Sequence, residues 1–271
     1  MIEHSASVVP SSPRSFGEEG GLLTYGSYLR LPGLLSQQVP QAQPPAHDEL
    51  LFITVHQVYE LWFQQLLHEL GSVRDSMTAG ETWRAGHLLR RVHVIERLLV
   101  AQVDILETMT PQEFGEFRAL LAPASGFQSV QFRELEFLSG LKDERFVARF
   151  RGLTAPERAR LQRRLSEPTL WDAFLTLLRA RGLAADGDEQ VLASLAEAAR
   201  DRAAYDDIWQ LAEDLLTHDE LAGLWRARHV AMVERQIGTK SGTGGSTGAP
   251  YLRGRVPLRY YPLLWELRDR L

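Results

Sequence analysis

The sequence contains no cysteine. Disulfides and thiolate metal ligands are therefore excluded, and any metal must rely on histidine, carboxylate or backbone groups. No stretch approaches 18 uninterrupted apolar residues, so no membrane span is expected. The opening "MIEHSASVVPSSPRSF" has no basic region followed by an apolar run, unlike a secretory signal. There is no excess of positive charge: the formal net charge of -5 predicts no nucleic-acid and no anionic-membrane partner. Strand-like segments are few, and no internal repeat stands out. These absences fit a cytoplasmic protein. What is present is ordinary globular material, 44% hydrophobic and 24% charged over 271 residues, enough for one sizeable core or two small domains.

Residues 1–21 are rich in Ser, Pro and Gly and read as a flexible N-terminal arm. "LTYGSYLRLPGLLSQQ", from Leu23, mixes aromatic and apolar residues with turn formers and needs a packing partner. Pro40, Pro44 and Pro45 make the next stretch a loop. Helical spacing then predicts long helices over about 47–77 and 81–107. "TPQE" at 110–113 reads as a capping box opening a short helix that Pro123 and Gly126 end. Residues 141–200 are more charged and irregular and read as a helical insertion or subdomain, with helix starts at "TAPE" (154–157) and Pro168. A further helix is expected over about 189–216. "THDE" at 217–220 reads as another capping box, opening a separate helix that carries His229. The tail "VPLRYYPLLWELRDRL" is apolar enough to dock. The expected fold is all-α, a single helical domain over 22–271 with 141–200 as its insertion.

The candidate chemistry centres on two histidines. His229 shares a helical stripe with Trp225, Met232, Val233 and Gln236, so it faces inward. It is either a satisfied core histidine or a single axial metal ligand of the kind a heme protein uses. His56 lies among Phe52, Trp62 and Phe63, where a neutral imidazole suits oxygen chemistry at a heme; it too reads equally as core. A zinc site is disfavoured, because no H-E-x-x-H occurs. "HDE" at 47–49 and 218–220 reads as carboxylates at helix starts. "GTKSGTGGSTG" (238–248) has the wrong order and context for a phosphate loop. It is either a surface linker or a hydroxyl- and amide-rich loop that wraps a polar ligand. Arg118, beside aromatic residues, is either a surface arginine or a carboxylate clamp.

Five stretches together resemble the tryptophan 2,3-dioxygenase family: "LTYGSYLRLPGLLSQQ", "HDELLFITVHQVYELWFQQLLHEL", "ILETMTPQEF", "FRALLAPASGFQSVQFRELE" and "LWRARHVAMVERQIGTKSGTGGSTGAPYL". They cover most of the chain from about 22 to 267. The resemblance implies a heme-binding helical domain using heme b, ferrous in the active state. It implies cleavage of the indole C2–C3 bond of L-tryptophan with O2 to give N-formyl-L-kynurenine, the first step of the kynurenine pathway. It implies His229 as the proximal iron ligand, His56 as the distal catalytic histidine, and Ser125 beside the cofactor. Substrate contacts are implied for Phe52, Arg118 and Thr243. Tyr25, Tyr28 and Leu29 match a segment that completes the site of a neighbouring subunit in a homotetramer, a dimer of dimers. Phe114 stands where some family members carry tyrosine and is given no hydroxyl role.

Overall fold

A computed structural model describes residues 22–150, 152–245 and 247–271. The arm expected over 1–21 lies outside the described residues. Two compact units are distinguished, divided between Val39 and Pro40. In the first, α1 (Tyr25–Tyr28) and α2 (Leu31–Leu34) are single turns. A reciprocal Thr24–Ser27 cap starts α1. Leu23, Tyr25, Tyr28 and Leu35 of this unit are at least 70% exposed.

The second unit is built on three long helices: α3 (His47–Thr78), α4 (Thr82–Leu106) and α11 (Arg202–Ile237). Among the described residues all regular structure is helical, and no helix is long and apolar enough to cross a membrane. In α3 the buried residues Val55, Tyr59, Phe63, Leu66, Leu70 and Val73 recur at intervals of three and four. That spacing gives one inward stripe, which α4 and α11 complete with stripes of their own. Asp48 and Glu49 occupy the first turn of α3, where the helix dipole favours acid. Glu49 also accepts the backbone N–H groups of Gln41 (2.7 Å) and Ala42 (2.9 Å), fixing the preceding loop.

Shorter helices follow: α5 (Pro111–Arg118), α6 (Val130–Ser139), α7 (Glu144–Arg149), α8 (Ala155–Ser166), α9 (Leu170–Ala180) and α10 (Asp188–Arg200). The capping boxes read at Thr110–Glu113 and Thr154–Glu157 both form, and a third, Thr169–Asp172, opens α9. Within 141–200, α9 and α10 contribute to the main core, while α7 and α8 join a smaller cluster around Phe137 and Leu161.

Two sequence expectations fail around α11. The helix expected over 189–216 is broken at Asp201, whose side chain caps the next helix at Ala204 N. The box expected at 217–220 does not form, because α11 runs straight through it. Thr217 instead bonds the Glu213 carbonyl at 2.9 Å, one turn back. His218 and Asp219 are core residues, not helix-start groups. Asp219 accepts from Tyr260 N (2.9 Å), Tyr261 N (3.1 Å) and Trp265 Nε1 (2.9 Å). It thereby anchors the C-terminal tail, where α12 (Ala249–Arg253) is followed by α13 (Pro262–Glu266) and a last 3-10 turn. The tail docks as its composition predicted, burying Tyr261, Leu264 and Leu267.

Candidate functional site

A cavity of about 290 Å³ opens between α3, α5, α6 and α11 and the loop after α11. It is of the scale of a small-molecule site, not of a packing defect. Phe52, His56, Arg118, Ser125, His229 and Thr243 all line it. Tyr25, Tyr28 and Leu29 belong to the first unit, where they are exposed.

His56 projects from α3 beside Phe52, the ring centroids 4.1 Å apart. Phe52 in turn packs on Phe114 and Phe117, each at 5.6 Å; Phe52 and Phe114 face the cavity and the buried Phe117 backs them. His56 Nδ1 lies 2.7 Å from the Phe52 carbonyl oxygen. A carbonyl only accepts, so Nδ1 carries the proton and Nε2 keeps its lone pair. Burial lowers the His56 pKa, and the Phe52 carbonyl and Glu60 offset this only partly. The imidazole is therefore a neutral hydrogen-bond acceptor near pH 7.

His229 projects from α11. Trp225, one turn earlier, stacks on it at 5.0 Å and 9° between planes. Some of its surface is accessible because the ring opens onto the cavity, yet protein encloses it. That burial, followed by the nearness of His56, lowers its pKa to about 4. Among the described residues neither ring nitrogen of His229 has a hydrogen-bond partner. A buried, neutral imidazole with unused lone-pair capacity facing an apolar cavity is the donor set that one axial heme bond requires. Among the described residues no group of three or more His, Asp or Glu side chains converges as a polydentate metal site would. The apolar cavity and the unpartnered imidazole of His229 fit a heme.

The loop after α11 is pinned across the chain. The Arg118 guanidinium donates to the Ser241 carbonyl, and the Thr243 hydroxyl donates to the Ala124 carbonyl at 2.6 Å. Gly244 lies against Ser125, where a Cβ would come within 2.6 Å of the serine Cβ. Gly248 has φ +72°, and a Cβ there would meet the Lys240 carbonyl at 2.5 Å. Side chains are excluded at both positions, which explains why a helix gives way to so glycine-rich a run. The loop is a fitted wall of the cavity. Arg118 spends one N–H on Ser241 and has others to offer.

Sequence reasoning passed over Arg133, Glu136, Arg226 and Arg255, which also line the cavity. The available signal was the charged run Arg133, Glu134 and Glu136 among the apolar residues of α6. Arg226 and Arg255 carried none.

The tryptophan 2,3-dioxygenase family model matches residues 11–193 and 190–271. The chain is 68% identical over 261 residues to a tryptophan 2,3-dioxygenase of Nocardioides sp., covering 95% of this chain and 98% of that protein. A tryptophan 2,3-dioxygenase of Herpetosiphon aurantiacus is 45% identical over 259 residues, with 92% and 98% covered. One from Anaeromyxobacter sp. is 43% identical over 264 residues, with 92% and 96% covered. Matches of this extent, on a helical chain whose two histidines share one apolar cavity, show that it belongs to the tryptophan 2,3-dioxygenase family.

Proposed function

We propose that this chain is a heme-dependent dioxygenase that cleaves the indole C2–C3 bond of L-tryptophan with O2, giving N-formyl-L-kynurenine. The observation that carries the reading is the pairing of His56 and His229 in one apolar cavity, one imidazole with a committed tautomer and the other without a partner. His229 would hold the iron of heme b. Bound there in its ferrous state, the heme supplies the oxygen chemistry that leaves both atoms of O2 in the product.

The protein's own work is orientation. Phe52 and Phe114 pack the indole, with the fully buried Phe117 ring supporting them from behind. His56 Nε2 accepts the indole N–H, and because His56 is neutral it does so without placing a charge in the pocket. Arg118 forks onto the substrate carboxylate, and Thr243 in the glycine-rich loop contacts the ammonium and carboxylate. Ser125, which lines the same cavity, would contact the cofactor. The loop excludes water by lying across the Pro123–Gly126 segment.

We further infer a cytoplasmic homotetramer, a dimer of dimers, in which Tyr25, Tyr28 and Leu29 complete a neighbouring subunit's site. The exposed aromatic and aliphatic side chains of 22–39 support this, since such a surface calls for cover. The cysteine-free composition agrees with the location.

The test is anaerobic reduction of heme-loaded protein, followed by L-tryptophan and air, with the product identified by mass and absorbance. N-formylkynurenine over many turnovers is expected. Intact heme without turnover of tryptophan would overturn the substrate assignment. Arg118→Ala should raise KM for tryptophan about 10- to 100-fold, the worth of a hydrogen-bonded charge pair, with heme content unchanged. If the parent enzyme binds tryptophan and tryptamine equally, Arg118 is no clamp.

A further inference from the structure

The cavity wall carries more positive charge than the roles above employ. Arg133 on α6, Arg226 on α11 and Arg255 just beyond α12 all line it, together with Glu136. Arg133 and Arg226 are only 5% and 4% exposed, and Glu136 1%. The Glu136 carboxylate accepts from Arg133 Nη1 and from Arg255 Nη2, the latter at 2.9 and 3.0 Å. Arg226 Nη2 stands 3.9 Å from the same carboxylate. Guanidinium groups do not deprotonate in proteins, so one carboxylate faces three permanent cations.

The hydrogen bonds fall short as well. Arg133 Nε and Arg226 Nη2 are closed to solvent and have no acceptor. Arg226 Nη1 is spent on the Leu258 carbonyl at 3.0 Å. Glu96 lines a smaller cavity together with Arg226, but His218 holds it at 2.6 Å and burial raises its pKa toward the neutral acid. Aromatic rings cover much of what is left. Phe146 lies 4.0 Å from the Arg133 guanidinium carbon, and Tyr260 lies 4.9 Å from that of Arg226. An excess of buried cations with orphaned N–H groups is costly until anions arrive to meet them.

We propose that Arg133, Arg226 and Arg255 form a cradle for the two propionate carboxylates of the heme, with Glu136 holding the guanidinium groups in register. The proposal rests on the heme reading of the site. Two surplus positive charges match two carboxylates, and the planar guanidinium fork matches each of them. The substrate, by contrast, brings one carboxylate, and Arg118 on α5 is available for it.

The test uses porphyrin affinity, not turnover. Apoprotein is titrated with iron protoporphyrin IX and with its dimethyl ester in the same mixed solvent, following the heme absorbance. The parent chain should bind the diacid at least about 10-fold more tightly than the diester, as loss of charge-assisted hydrogen bonds predicts. Arg133→Gln and Arg255→Gln should lower diacid affinity about 10-fold and leave diester affinity unchanged. The Arg255 side chain is 25% exposed, more than that of Arg133, so its variant keeps the test open if Arg133→Gln does not fold. Equal affinity of the parent for both porphyrins overturns the cradle while leaving the heme reading intact. So does an Arg255→Gln variant that weakens both porphyrins in the same ratio, the mark of a purely structural role. If neither porphyrin binds, the heme reading falls and the cradle falls with it.

Discussion

Helix α11 carries His218 and His229 eleven residues apart, three turns along nearly the same face. Their surroundings are opposite. His218 is 3% exposed, its Nδ1 2.6 Å from Glu96 and its Nε2 2.9 Å from the Ser139 hydroxyl. Ser139 is fully buried, and this serine, histidine and glutamate spend their polar groups on one another inside the bundle. His229, on the same helix, meets no hydrogen-bonding group among the described residues and opens onto the cavity. One histidine is saturated with partners and holds the bundle together. The other is kept waiting for a partner the chain does not supply. A buried histidine is thus marked as a candidate ligand by what its nitrogens lack, not by its burial.

That contrast is broken most directly at His229. His229→Ala should weaken heme binding by more than about 100-fold, since loss of mere supporting contacts around a metal ligand costs 10- to 100-fold. The retained heme should lose its histidine-ligated spectrum. An unchanged spectrum at full occupancy would sink the assignment, and His56→Ala is the matched control, expected to keep its heme while turnover changes.

His218→Ala should do the reverse. It strips partners from Glu96 and Ser139 in the core, which should cost about 3 kcal/mol in urea denaturation of the apoprotein. The axial spectrum of the loaded protein should survive. A variant that keeps its stability and loses its spectrum would erase the distinction between the two sites.

The smallest effect sharpens the packed end of the bundle. His93, on α4, hydrogen-bonds the Asp214 carbonyl through Nε2 at 2.9 Å, and burial lowers its pKa to about 4. The unfolded chain takes up this proton below pH 6.5, but the folded chain refuses it until about pH 4. Stability from this group is therefore present above pH 6.5 and drains away as pH falls toward 4. His93→Gln, with an amide still able to donate to Asp214, should flatten that acid-side decline by on the order of 1–2 kcal/mol. An unaltered dependence of the urea midpoint on pH between 7 and 4.5 would show that His93 is not the group responsible.

Much of the local structure was legible because it is written in short-range chemistry. The Thr110–Glu113 and Thr154–Glu157 boxes form since a side chain and a backbone amide three residues apart need nothing else. The "THDE" at 217–220 has the same letters and no box, because burial of His218 and Asp219 against Glu96 and the tail rewards an unbroken helix more than a cap does. Local signals lose where tertiary contacts compete for the same residues.

The candidate site divides in the same way. The sequence by itself determined the helical class, the family resemblance, and the choice of His56, His229, Arg118 and Thr243, each of which sits in a contiguous motif. Only the tertiary structure decided that these side chains share a cavity with Ser125 and Phe52. It alone fixed the His56 proton on Nδ1, since the short contact to the Phe52 carbonyl is a matter of rotamer and packing. It alone joined Arg133, Glu136, Arg226 and Arg255, drawn from three parts of the chain. Charge excess and orphaned donors are properties of a volume, and a volume exists only once distant segments have folded around it.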